Sequence, residues 1–376
     1  MYITSKKSDS HFSKRRKKFL IDNKSEIANV PKNALIELTN ACNHACVFCA
    51  NPKMNRRVSH LSIETYSSFI EKCVEEKVQE VGLYSTGDPF MTKNLFEFIK
   101  IAKTKGILRV YITTNGALAN FDIAKKCIDN GLNSIKFSIN AGTKESYNLI
   151  HGHDDFEKVI KNISDIYDYK IKNNLNLQLL SSFVYTNKTA GEVEIFKKKF
   201  GKFFEEMIFF PAHNLGGRNI DTAKRIAHKF TTGRTDSTAY SIGGNSFLAV
   251  SMEISKLNSA TQALSANYKP CEMLWNRLHL TKEGFLTACC VDYENDLVYE
   301  KFQNNSSLQD MFNHKKMREL RKKHLSNNLD GTICKGCLYN ENSKYEKLSD
   351  IKVENSRKLN TSKIANLNER LNKLSE

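Results

Sequence analysis

The chain reads as an α/β protein built on a parallel sheet. Two observations carry this reading. Between Ala34 and about His213, six short apolar segments recur, as the strands of a sheet buried on both faces do. Amphipathic helical patterns fall between them. Such βα repeats imply parallel strands joined by right-handed crossovers. Six strands are too few for the eight-stranded barrel, and periodicity leaves open whether the sheet is flat or curled.

The strands are expected at Ala34–Leu38, Glu80–Ser85, Arg109–Thr114, Ser134–Ile139, Gln178–Tyr185 and Met207–Pro211. In Ser62–Lys77, the residues Ile63, Tyr66, Phe69, Ile70, Cys73 and Val74 recur at three- and four-residue steps and make one apolar face. In Asn120–Gly131, Ile123, Ala124, Cys127 and Ile128 do the same, with Asn120 as N-cap and Gly131 as the stop. Residues 1–31 read as a mobile basic extension, and 32–213 as the core. Residues 214–270 read as a connector holding some helix and a strand, because an ordered loop of that length is unusual. A second unit runs over 271–340. Residues 341–376 read as a polar helical tail whose Ile364, Leu367, Leu371 and Leu374 pack onto the body.

With 376 residues and 40% hydrophobic side chains, the chain can bury a sizeable core. No apolar run approaches the roughly 18 residues of a membrane span, and the N-terminus lacks the apolar stretch of a secretory signal. A reducing cytoplasm is expected, where clustered cysteines are metal sites rather than disulfides. The net charge of +16, part of it in Lys14–Lys18, suits a solvated basic surface, an acidic protein partner or RNA.

The chemistry concentrates in Leu38-Thr-Asn-Ala-Cys-Asn-His-Ala-Cys-Val-Phe-Cys49. Cys42, Cys46 and Cys49 follow the first strand, at the carboxyl end where ligands sit in such sheets. Iron–sulfur clusters usually take four cysteines, so three on one loop leave one iron open. Zinc remains an alternative, with His44 completing a Cys3His set. With Phe48 before the third cysteine, the C-x3-C-x2-C spacing resembles the signature of the radical S-adenosylmethionine (radical SAM) enzymes. The resemblance implies an open partial (β/α)6 barrel and a [4Fe–4S] cluster whose open iron binds SAM.

Two further places are similar to this family. Tyr84-Ser-Thr-Gly-Asp-Pro89 is similar to its Gly-Gly-Glu-Pro motif, with Thr86 for the first glycine and Asp88 for the glutamate. The resemblance implies that Gly87, Asp88 and Pro89 meet the methionine end of SAM. Ser138 and Asn140 close the fourth strand, where the family has SAM contacts. Thr113 and Asn115 are weaker candidates of the same kind, and Glu37 and Asn40 are expected to order the cluster loop. His151, His153, Asp154 and Asp155 look like metal ligands but read better as a helix break followed by Asp N-capping. His213, Asn214 and Arg218 are candidates for substrate contact.

Downstream, Cys271-x12-Gly284-x4-Cys289 precedes Cys334-x2-Cys337. Thr281-Lys-Glu-Gly284 is a hairpin turn signal, and the hairpin brings Cys271 and Cys289 together. Spacing alone leaves zinc and iron–sulfur open. The arrangement resembles the short "twitch" form of the SPASM extension behind radical SAM cores. Trp275, Cys289 to Asp292 and Met317–His324 sit where that extension has similar residues. The resemblance implies one auxiliary [4Fe–4S] cluster, a β-hairpin-plus-helix unit, and Cys290 as a spare thiol. Cys73 and Cys127, on apolar helix faces, are core.

The resemblance covers about residues 33–340. It implies reductive cleavage of SAM to a 5′-deoxyadenosyl radical that abstracts hydrogen from a substrate. Oxidation of a small polar molecule, a sugar or aminocyclitol alcohol, is the leading expectation. Maturation of a ribosomal peptide or protein side chain is the alternative. A flavodoxin- or ferredoxin-like donor would supply electrons. A non-catalytic zinc protein that binds RNA is the alternative of another class.

Overall fold

In the structure, a computed structural model, residues 23–212, 268–339, 344–355, 357 and 360–375 are described. The basic run Lys14–Lys18, His213, Asn214, Arg218 and nearly all of the expected connector lie outside them. Six parallel strands stand in sequential order: β1 (Asn33–Ile36), β2 (Glu80–Gly82), β3 (Arg109–Thr114), β4 (Ser134–Ser138), β5 (Gln178–Tyr185) and β6 (Glu206–Pro211). This is the order of a partial barrel, in which each crossover adds the next strand on the same side. β2 is shorter than expected. Beyond Gly82 the chain leaves the ladder to build the loop at Thr86–Pro89.

The crossover helices form where the apolar steps place them. Helix α1 (Ile63–Glu75) starts at Ser62, whose side chain accepts from Thr65 N, and it buries Tyr66, Phe69, Ile70 and Cys73. Helix α2 spans Leu95–Thr104. Helix α3 (Phe121–Asp129) is capped by Asn120 and stops before Gly131 at φ +99°. Helices α4 (Lys144–His151), α5 (Phe156–Lys172) and α6 (Val193–Phe200) complete this set. Cys73 and Cys127 are fully buried in the core.

The downstream unit is joined to this sheet. After the short helix α7 (Met273–Asn276), β7 (Leu278–Leu280) pairs parallel to β1, with Leu35 opposite His279. The turn at Gly284 (φ +79°) returns the chain into β8 (Phe285–Thr287), antiparallel to β7, and β9 (Val298–Lys301) follows. Nine described strands thus form one sheet, in the order β6-β5-β4-β3-β2-β1-β7-β8-β9. Helices α8 (Leu308–Phe312), α9 (Lys315–Leu325) and α10 (Ile333–Tyr339) close this side. Trp275 is fully buried, and its Nε1 donates to Ser25 O at 2.7 Å. Buried Arg321 donates to the carbonyls of Glu26, Leu274 and Phe312.

Helix α11 (Thr361–Ser375) packs back onto the body as expected. Leu367, Leu371 and Leu374 form one cluster with Val47, Ile150 and Val184. No described helix is long and apolar enough to cross a membrane.

Candidate functional site

The loop after β1 carries Cys42, Cys46 and Cys49, and four neighbouring segments hold it. The last turn of α4 accepts two of its amides, Ala45 N to His151 O at 3.2 Å and Val47 N to Ile150 O at 3.0 Å. The Gly87 loop packs on its start, with Asp88 N donating to Ala41 O at 2.9 Å. A Cβ on Gly87 would lie 2.4 Å from Ala41 O and 2.6 Å from Thr39 O, so only glycine fits there. Helix α11 closes the far side, Arg370 donating to the carbonyls of Ala45, Leu149 and Ile150. From the downstream unit, Tyr293 brings its hydroxyl to 3.5 Å from Cys49 Sγ.

Glu37 and Asn40 order this loop. Glu37 accepts from both terminal nitrogens of Arg56, the closer at 2.5 Å, from the Thr86 hydroxyl, and from Lys282 N at 3.1 Å. Arg56 also holds Glu283 at 2.6 Å. The pair thus ties β1, the Gly87 loop and the β7–β8 turn together. Asn40 donates to Arg57 O and accepts from Ser59 N, each at 3.0 Å.

The strand-end candidates are placed around the same loop, with much of their polarity spent on the chain itself. Asp88 is buried. One carboxylate oxygen accepts from Phe90 N at 3.0 Å, the other from Asn115 N and the Thr114 hydroxyl at 2.8 Å each. Burial raises its carboxyl, against these hydrogen bonds. Pro89 opens a 3-10 turn that Asp88 caps. Asn140 holds φ +60°, accepts from Val184 N at 2.8 Å and pairs with Ser138 Oγ at 3.1 Å. Asn115 donates to Asn43 Oδ1 at 2.8 Å and lies 3.9 Å from Cys42 Sγ. Phe48 packs against the cluster formed by α11.

The histidine group requires a correction. Asp155 precedes α5 but makes no side-chain cap. Its Oδ2 lies instead 3.1 Å from His44 Nε2, so the carboxylate is drawn to the cysteine loop rather than to the helix. His151 is fully buried; its Nε2 donates to Ile139 O at 2.6 Å, and its Nδ1 lies 3.1 Å from His44 Nδ1 and 3.4 Å from Cys46 Sγ. His44, Cys46 and His151 therefore offer three donor atoms close enough for one metal ion. The helix break at Gly152 (φ +75°) is present as expected. The sequence signal for the histidine contacts was the close run of His and Asp; only the fold brings it to Cys46.

Burial pushes the Cys42 thiol up to about 12 and raises Cys46 and Cys49 as well. Three enclosed thiols on one loop suit a metal group, which would deprotonate them. Lys363 and Arg357 add positive charge near these thiols.

The downstream cysteines also converge. Cys289 interacts electrostatically with Cys271 and Cys337, and Cys334 with Cys271 and Cys337. Burial raises Cys271 to about 11. Cys271 N faces His324 Nδ1 at 3.4 Å. Asp292 takes Asp296 N, Leu297 N and the Thr287 hydroxyl, which fixes the bend after Cys289. Cys290 faces His279 and Arg277 besides its neighbour. All ten cysteines are free thiols.

The radical SAM superfamily profile matches residues 36–188, and an iron–sulfur cluster-binding domain, SPASM, matches 271–338. The chain belongs to the radical SAM superfamily. Its cofactors are SAM and two iron–sulfur clusters, and the thiol groups just described fit that requirement. Among relatives, a probable GTP 3′,8-cyclase of Sulfurisphaera tokodaii is 31% identical over 42% of this chain and 49% of its own. The GTP 3′,8-cyclase of Aliarcobacter butzleri is 29% identical over 68% of this chain and 78% of its own. The chain matches about half the length of the Sulfurisphaera protein. Two solved structures share the fold. Streptococcus suis SuiB, bound to its precursor peptide SuiA, has a TM-score of 0.56 at 12% identity, covering 91% of this chain and 79% of SuiB. The anSMEcpe enzyme with bound AdoMet and a peptide has 0.55 at 16% identity, covering 91% and 98%. This radical SAM enzyme thus carries a SPASM domain behind its core.

Proposed function

We propose that this radical SAM enzyme oxidises a small polar molecule held in the barrel lumen. The observation that carries the reading is the wall facing the cysteine loop. Along β3, Tyr111 and Thr113 keep accessible surface while Val110 and Ile112 are buried in the core and Thr114 is buried against Asp88. Tyr84, Lys136 and Ser138 are likewise half-buried beside buried Leu83 and Phe137. This face therefore carries polar side chains that keep some accessible surface, which supports a polar substrate. The name of the Aliarcobacter butzleri relative, a GTP cyclase, is in keeping with a small polar substrate.

Cys42, Cys46 and Cys49 hold the [4Fe–4S] cluster that binds SAM; Cys271, Cys289, Cys334 and Cys337 hold the auxiliary one. When bound, these groups supply a 5′-deoxyadenosyl radical for hydrogen abstraction and an acceptor for the substrate's second electron. The chain's own residues position and enclose. Gly87 lets the SAM loop approach the cysteine loop, while Asp88 and Pro89 fix its turn. Ser138 and Asn140 border the SAM site, and Phe48 backs the loop. The functional units are 32–213 for the core and 271–340 for the auxiliary site. A flavodoxin- or ferredoxin-like acidic protein supplies electrons, in keeping with the net charge of +16. The free thiols suit a reducing cytoplasm.

The test is anaerobic reconstitution followed by reduction with SAM and small-molecule extracts, following deuterium transfer into 5′-deoxyadenosine. Transfer from a small polar compound supports the reading. Transfer only from a peptide replaces it with side-chain maturation, and no 5′-deoxyadenosine at all removes it.

A further inference from the structure

Lys136 and Arg277 are enclosed cations that no described carboxylate pairs with directly, although Glu80 interacts with Arg277 and Cys290 with both. Lys136 lies on the inner face of β4, opposite Thr113 of β3 and Leu180 of β5, with its Nζ 5.9 Å from the Tyr84 ring centroid. Arg277 immediately precedes β7, on the same face as His279. The two interact with each other and with Cys290, and Arg277 also with Tyr84, Tyr111 and Glu80. Both are surrounded by protein yet retain accessible surface, as side chains around a cavity do.

Elsewhere this protein partners its enclosed cations. Arg56 pairs with Glu37 and Glu283, Lys282 with Glu283, and Arg321 and Arg370 each donate to several carbonyls. Neither Lys136 nor Arg277 forms an ion pair or a hydrogen bond with a described carboxylate. Two like charges in a confined lumen repel and are costly to desolvate unless anions offset them; Cys290 and Glu80 supply part of that offset, and a substrate anion would add to it. Lys136 sits one inward-facing step before Ser138, about 7 Å down the strand. That places Lys136 below the strand ends proposed to border SAM.

We propose that Lys136 and Arg277 form an anion-binding subsite that holds a carboxylate or phosphate group of the substrate. The inference rests on the lumen being the substrate pocket, and it narrows the substrate from a polar molecule to an anionic one. Arg277 supplies a planar donor fork suited to either oxyanion, and Lys136 adds a second point charge.

Enclosure and the neighbouring Arg277 lower Lys136 to about 8, against Cys290, which raises it. The cationic form prevails below that value. Anion binding is therefore expected to weaken as pH rises through about 8.

The experiment titrates the reconstituted, SAM-loaded holoenzyme with inorganic phosphate and, separately, with acetate by calorimetry. At least one anion is expected to bind at pH 7. Affinity should fall by about tenfold or more in Lys136→Met and in Arg277→Gln, and recover in Lys136→Arg. Preference for phosphate or for acetate distinguishes the two sources of the charge. Iron content and SAM affinity, measured on each variant, are expected to stay unchanged. The proposal is overturned if neither anion binds, if the variants bind as well as the parent, or if SAM affinity falls in parallel, since the cations would then serve the cofactor. Formation of 5′-deoxyadenosine in the parent enzyme is a separate readout. Its persistence without anion binding would sink this subsite and leave the radical SAM activity standing.

Discussion

On the proposal that Cys42, Cys46 and Cys49 hold the SAM-binding cluster, Cys42→Ala is expected to abolish SAM cleavage outright, read as 5′-deoxyadenosine after reduction. Tyr293 offers a finer test. Burial and the nearby thiol groups hold its hydroxyl well above the usual phenol range, so it stays a donor, 3.5 Å from Cys49 Sγ. A donor to a ligand sulfur stabilises the more negative, reduced state. Tyr293→Phe is expected to lower the midpoint potential of the SAM-binding cluster by roughly 40 mV, the one-electron equivalent of about 1 kcal/mol. Redox titration followed by electron paramagnetic resonance would read this, and an unchanged potential would remove Tyr293 from that role. The cysteines and Gly87 were legible in the sequence because their spacing and residue type are chemically restrictive. Tyr293 was not, since 244 residues separate it from Cys49 and nothing local marks it. The sequence points to Asp155 as a cap of the following helix, which it does not make; its approach to His44, like that of His151 to Cys46, is set by packing rather than by local sequence.

Among the elements, the Gly87 loop and α11 carry the sharpest expectations. Gly87→Ala would force a methyl to 2.4 Å from Ala41 O. It is expected to cost about 1–3 kcal/mol and to weaken SAM binding, measured by thermal unfolding and calorimetry. Arg370 spans three carbonyls of the cysteine loop and α4. Arg370→Ala removes a donor from the Ala45 and Leu149 carbonyls, while Ile150 O keeps Val47 N; it is expected to cost about 1–3 kcal/mol and should speed loss of iron to a chelator from the first site more than from the second. Leu367, Leu371 and Leu374 announced a packed helix through their spacing. That the helix covers the cysteine loop is decided by Val47 and Ile150, which are distant in sequence. Strand ends were less legible than strand centres: β2 stops at Gly82, where the chain turns toward the cysteine loop.

For the whole molecule, the pairing of β7 with β1 makes one sheet of two chemical units, and Arg56 locks them by holding Glu37 and Glu283 together. The two metal sites remain separable in composition. The parent should hold about eight irons after reconstitution, two four-iron clusters. Cys334→Ala is expected to lower this to about four while uncoupled SAM cleavage persists; iron content unchanged by the substitution would contradict the assigned ligands. The sequence alone determined the class of chemistry, because three cysteines on one loop and four downstream restrict which metal groups can bind, and the apolar periodicity determined the parallel sheet. Tertiary structure decided what lies between them. Side-chain alternation along a strand leaves open which face lines a cavity, and no spacing rule brings Lys136 to Arg277. The parallel pairing of β7 with β1 brings Arg277 into the same sheet as Lys136, where the two interact.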